Sequence, residues 1–253
     1  MTHLRAVALL GLAAFATSGC FDIQQTLTLE RNLSGTAGFS MKIDMEPMVA
    51  FMVRMQREMA GKTGDPTPEE LAKARAEFTS SAKEKPTDFD AEKRELASKL
   101  PAGVSLVDAS FTQSDLAMAV NLLFGFDQVS KLAAIQLPKS KDAKEGPGNP
   151  VDSPFGDLKV VDEGDTLLIT GPPQNPAAGA RSQAPPDPET QKMVQEMMGG
   201  LRVGFRITAP FEIVQHNAHR KEGNSLIWEY DLKALEKLTP EQLNSSIKVR
   251  YRK

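Results

Sequence analysis

The sequence predicts an α+β fold: a mostly antiparallel sheet built from hairpins with amphipathic helices on one face, behind an N-terminal signal peptide. Three observations predict it. Stretches such as FDIQQTLTLE and TAGFSMKID alternate apolar and polar residues with a period of two, and short polar turns separate them, which is the pattern of half-buried strands joined as hairpins. Residues 47–100 switch to three- and four-residue apolar spacing with capping residues, as helices do. Strands dominate both before and after this helical block, and nothing repeats at a fixed period, which argues for α+β architecture.

The elements follow in order. Arg5 precedes an uninterrupted apolar run, AVALLGLAAFA at 6–16. Crossing a bilayer takes ~20 apolar residues, so a run this short behind a basic start reads as a signal-peptide core. Residues 17–20, TSGC, end it with small residues and the single cysteine of the 253-residue chain. They resemble the lipobox of bacterial lipoproteins, with Thr17 where an aliphatic residue is usual. The rival site is Ala14-Phe15-Ala16, an A-x-A pattern for ordinary signal peptidase. Cutting there would leave an unpaired thiol in an exported, oxidising setting, which needs an explanation. Lipidation accounts for both the presence and the position of Cys20. One acyl chain holds a protein only weakly, but a diacylglyceryl thioether with an N-acyl group would anchor it stably.

Strands are predicted at 21–30 and 36–44 around a turn at 31–35. Met48, Phe51, Met52, Met55 and Met59 then recur at helical spacing, opposite Arg54, Arg57 and Glu58, with Pro47 in the first turn. Thr67 and Glu70 form a capping box that opens a second helix at 68–81, and a third spans 90–100 after Asp88. A hairpin at 104–112 and 116–126 leads into a short helix at 127–135 capped by Asp127. A third hairpin pairs 155–161 with 166–170 around Gly164. Glu189 opens a methionine-containing helix that ends at Gly199. Strands at 201–207, 211–217 and 225–230, with a turn at 221–224, precede a short helix at 232–238. The last strand, 245–252, is basic, which suits an exposed edge. Trp228 falls on the apolar side of its strand with Leu226.

This divides the chain into a lipoprotein signal peptide at 1–19, an N-terminal part of one α+β domain at 20–137 with a helical insertion at 47–100, a flexible loop at 138–152, a β-hairpin at 153–170, a linker with six prolines at 171–188, and the C-terminal part of the same domain at 189–253.

Cleavage before Cys20 removes one basic residue, Arg5, and no acidic one, leaving 29 basic against 33 acidic residues and a net charge of −4. That balance argues against nucleic acid as a partner. The chain has three histidines, of which His3 lies in the signal. His216 and His219 form H-x-x-H, but at a strand end entering a turn, and without the glutamate of a zinc-protease motif. No metal and no cofactor are expected. Asp162, Glu163 and Asp165 surround a hairpin glycine and supply too few ordered ligands for Ca²⁺. Methionine adapts to varied apolar partners. Met48, Met52, Met55 and Met59 on one helix, and Met193, Met197 and Met198 on another, therefore read either as core packing or as an apolar groove for an acyl chain or partner helix; the candidate groove residues are Met48, Met52, Met55, Met59, Met193 and Met197.

CFDIQQTLTLERNLSGTAGFSMKID and VGFRITAPFEIVQHNAHRKEGNSLIWEYDL resemble the opening and later strands of bacterial lipoproteins of the LppM type. The resemblance implies an exported, anchored α+β domain and carries no catalytic residue. Such proteins often have a C-terminal membrane helix; this chain ends in KVRYRK, so the lipid is expected to do the anchoring. The expected function is that of a lipid-anchored cell-envelope lipoprotein with a non-enzymatic binding or scaffolding role. It would meet the membrane through the lipid on Cys20 and bind an envelope protein or an amphiphile. Phe21 rather than Asp after the cysteine favours outer-membrane sorting, facing periplasm or surface. The alternatives are an amphiphile-binding module using the methionine-lined helices and an envelope hydrolase using His216 or His219.

Overall fold

Alternation begins at Phe21, the first described residue. Strand β1 (Phe21–Leu29) buries Leu27 and Leu29 and turns Thr28 outward. The computed structural model describes residues 21–82, 88–137, 153–156, 158–173, 200–237, 239 and 245–253. The signal peptide with Cys20, the loop at 138–152, residues 174–188 of the linker, and the expected helix carrying Met193 and Met197 lie outside the described residues.

β1 pairs antiparallel with β2 (Gly35–Asp44), Phe21 opposite Ile43 and Leu29 opposite Gly35. In the turn between them the left-handed residue is Leu33, at φ 65°. Gly35 instead begins the strand, and a side chain on it would run into the Thr28 carbonyl. Helices α1 (Glu46–Met59), α2 (Pro68–Ala82) and α3 (Phe89–Lys99) follow. The Thr67–Glu70 box is made as expected: the Thr67 amide donates to the Glu70 carboxylate at 2.9 Å, and the Glu70 amide donates to Thr67 Oγ1 at 3.3 Å. Asp88 caps α3 by accepting from the Ala91 amide at 3.0 Å. β3 (Val104–Gln113) and β4 (Ala117–Phe126) form the second hairpin. The helix expected at 127–135 is a 3-10 turn over Val129–Ala134 without a side-chain cap. Asp127 binds Lys131 at 2.9 Å instead.

β5 (Lys159–Asp162) and β6 (Thr166–Pro173) make the third hairpin. β6 continues three residues beyond the expected strand, because Pro173 still sits opposite Ser246. β7 (Leu201–Thr208), β8 (Glu212–His216), β9 (Arg220–Glu222), β10 (Ser225–Asp231), the short helix α4 (Leu232–Lys237) and β11 (Ser246–Arg252) complete the described chain. The turn expected at 221–224 is tighter: β9 occupies its first part and Gly223, at φ 58°, makes the corner.

The fold is α+β, with mostly antiparallel hairpin strands divided between two sheets. The larger has the order β3-β4-β2-β1-β7-β10-β9 and the smaller β5-β6-β11-β8. Among the described residues one pairing is parallel: β1 lies beside β7, with Phe21 opposite Leu201. The inner faces share one core. Leu27, Phe124, Ile207 and Trp228 from the larger sheet cluster with Leu167, Ile169, Val249 and Tyr251 from the smaller. Two-sheet packing of this kind buries one face of each sheet and leaves the other to water. Across β2, β4 and β3 the outer face of the larger sheet carries a polar row, with Ser40 donating to Asn121 at 2.7 Å and Asn121 donating to Ser110 at 3.2 Å.

The basic final strand is not an edge. β11 lies between β6 and β8, with Ile247, Val249 and Tyr251 buried. Its Arg250 and Arg252 point to the outer face, where Glu163 and Glu212 meet them at 2.8 and 2.7 Å. A charged alternate row therefore marks the solvated face of an interior strand here. α1 packs chiefly on α2, and α3 lies against β3, where Phe89 stacks on Phe111 at 5.2 Å.

Candidate functional site

Phe21, the first described residue, directly follows Cys20 in the sequence. Phe21 sits opposite Ile43 on one side and Leu201 on the other. Near this corner β2 ends, and α1 leaves the sheet two residues later. The corner is stitched: the Met45 amide donates to the Leu116 carbonyl at 2.7 Å, and the Glu46 amide donates to Asp44 at 3.0 Å. The larger sheet presents Ile23, Met41, Val120 and Val203 here as half-buried apolar residues, packed at the margin of the core.

α1 and α2 form an antiparallel pair held by two charged clasps. Arg75 near the end of α2 binds Glu46 at the start of α1. Arg57 near the end of α1 forks onto Glu70, with 2.8 and 2.6 Å contacts to its two oxygens. The Thr67 amide and this guanidinium, in that order, hold the Glu70 carboxyl below its ordinary range, and Glu46 raises the Arg75 guanidinium. A cleft of about 220 Å³ lies between the helices, lined among others by Val53, Gln56, Arg57, Glu70 and Lys73. The Arg57–Glu70 ion pair is part of its lining.

None of the expected methionines lines that cleft. Residues separated by three or four positions share one side of a helix. Val49, Val53, Gln56 and Ala60 form the side of α1 toward α2, and Val49 and Val53 are its buried residues. Met48, Met52, Met55 and Met59 form a second stripe about a quarter turn away. Met48 and Met55 are half-buried, while Met52 is 37% and Met59 84% exposed. The alternation of Val between Met in the sequence (MVAFMVRM) held the signal for this choice. The β-branched residues occupy the helix–helix contact and the flexible ones its flank.

The two histidines are taken up by local backbone. His216 Nδ1 accepts from the Ala218 amide at 3.1 Å. His219 Nδ1 accepts from the Glu229 amide at 3.2 Å, and its ring meets Tyr230 edge-on at 4.7 Å. Among the described residues no group of three His, Cys, Asp or Glu is placed to hold a metal ion. Asp162 and Glu163 at the β5–β6 turn pair with Lys253 at 2.6 Å and Arg250 at 2.8 Å. Hydrogen bonding from Arg250, then from Thr166, lowers the Glu163 carboxyl from 4.5 to about 2. Sequence reasoning missed Asn217, which joins the sheets. Its side-chain oxygen accepts from Trp228 Nε1 at 3.0 Å and from the Lys248 amide at 2.8 Å, and its amide nitrogen donates to the Ser246 carbonyl at 2.9 Å.

No protein-family model matches this chain, and no curated protein matches it. Among solved structures there is a distant, low-identity match to the NMR structure of the Mycobacterium tuberculosis LppM protein folded domain, at 11% identity and a TM-score of 0.42, covering 95% of this chain and 94% of that one.

Proposed function

We propose that this chain is a lipid-anchored cell-envelope protein that binds a partner rather than catalysing a reaction, sorted to the outer membrane and held there through acyl groups on Cys20. The observation that carries the reading is the position of the single cysteine. It ends a short export signal and immediately precedes Phe21, the first residue of β1. Cleavage before Cys20 therefore removes no residue of the described fold. Among the described residues no helix is long and apolar enough to cross a membrane. The binding role is favoured over hydrolysis because both remaining histidines have backbone partners, and among the described residues neither hydrogen-bonds a serine, cysteine or carboxylate.

The test is Cys20→Ser combined with intact-mass analysis of the membrane-extracted wild type. The expected wild-type mass is that of residues 20–253 plus a diacylglyceryl and an N-acyl group. The variant should move to the soluble fraction with an unchanged melting temperature, because the described core residues run from Leu27 onward. An unmodified N-terminus at Thr17 would mean simple secretion and overturn the reading.

A further inference from the structure

We infer that the methionine stripe of α1 is a membrane-contact face, seated on the same lipid surface that takes the acyl groups of Cys20. The inference rests on the lipid-anchor reading and adds an orientation to it. Cys20 is covalently adjacent to Phe21, so an anchored chain holds Phe21 within one residue's reach of the lipid headgroups, about 4 Å along the backbone. Phe21 is paired with Ile43, and α1 begins three residues beyond Ile43. The helix therefore starts at the anchored corner. With 14 residues it extends about 21 Å from there.

The chemistry of its uncovered side suits lipid rather than water. Val49 and Val53 are buried, while Met52 and Met59 are exposed and Phe51, Met48 and Met55 half-buried along the flank. An amphipathic helix of this kind lies in the plane of the interface with its apolar side ~5–10 Å into the headgroup boundary. Unbranched methionine adapts to disordered acyl chains as it does to irregular cores. The α1–α2 pair contains five basic and six acidic residues between 46 and 82, so attraction to anionic headgroups cannot be the driving term. Apolar contact, made local by the covalent anchor, remains. A lipid surface is favoured over a protein partner because only the lipid is brought to this corner by the chain's own chemistry.

Acylation consumes the only natural thiol, so a new cysteine can be labelled selectively. The lipoprotein forms of Met52→Cys, Met59→Cys and Arg31→Cys would each carry an environment-sensitive fluorophore. They would be reconstituted into phosphatidylethanolamine–phosphatidylglycerol vesicles containing nitroxide-labelled lipid. Arg31 lies in the β1–β2 turn, at the far end of β1, about 30 Å from Phe21. The inference expects quenching at positions 52 and 59 to exceed that at 31 by roughly twofold or more, as for an interfacial helix. Equal, weak quenching at all three in protein shown by mass to be acylated overturns the inference and leaves the anchor intact. Labels at 52 and 59 shielded from both lipid nitroxide and aqueous iodide would assign the face to a second copy or another protein, and also overturn it. An unacylated Cys20 removes the anchor reading and the inference with it. All three positions are exposed or on a turn, and retention of the buried Trp228 emission checks the fold.

Discussion

Trp228 shows how a single residue can be placed from sequence while its partner cannot. Its position beside Leu226 in an alternating strand predicts burial, and it is fully buried, edge-on to Phe205 at 6.1 Å. Asn217, which satisfies its indole N–H, sits in the chain crossing from one sheet to the other, and no local pattern marks it. Trp228→Ala should cost ~3–5 kcal/mol, as deletion of a buried large aromatic does. Asn217→Ala should cost less, ~1–3 kcal/mol, because a buried donor and the Lys248 amide lose their acceptor. Urea unfolding of both variants measures this, and an unchanged midpoint for Trp228→Ala would contradict the described core. Glu163 gives a pH signature. Its folded carboxyl is lowered to about 2 from 4.5 by Arg250 and Thr166, so its contribution is complete above pH 4.5 and is lost as pH falls toward 2. The difference in urea midpoint between wild type and Glu163→Gln should be constant above that window and shrink through it.

At the scale of elements, the hairpins and helix starts were legible because their causes are local. Period-two alternation set β1–β2, β3–β4 and β5–β6, and capping chemistry set the starts of α2 and α3. Thr67→Ala should remove the acceptor for the Glu70 amide and cost α2 ~1 kcal/mol, a typical cap loss. Because α1 and α2 pack mainly on each other, the loss should appear as faster amide hydrogen exchange in 46–82 with little change in β1–β4. The face that α1 buries was less legible. Met, Phe and Val are all apolar, so spacing alone allows a wide arc. Which part of it faces α2 is decided by where the Glu46–Arg75 and Arg57–Glu70 clasps hold the second helix. The methionines consequently lie on a flank, and the cleft between the helices is charged.

At the scale of the whole molecule, chain-distant pairings hold the sheets together. β1 joins β7 across 180 positions, and β11, the last described strand, lies inside the smaller sheet. A chain ending at Ser245 should lose cooperative thermal unfolding altogether, because it removes Ile247, Val249 and Tyr251 from the core, takes from β6 one of its two neighbours and leaves β8 without its described partner. A cooperative transition with native near-ultraviolet dichroism in that truncation would refute the interior position of β11.

What the sequence determined by itself was everything governed by neighbours a few residues apart: the strand and helix periods, the caps, the hairpin turns and the inward side of Trp228. Tertiary structure alone decided the division into two sheets, the parallel β1–β7 contact, the interior place of the basic β11 and the solvent-facing flank of the methionine helix. The reason is that alternation states which side of a strand is apolar but not which strand lies beside it. Hydrogen-bonding edges are chemically alike along the chain, so partner choice depends on how the two apolar faces close on each other.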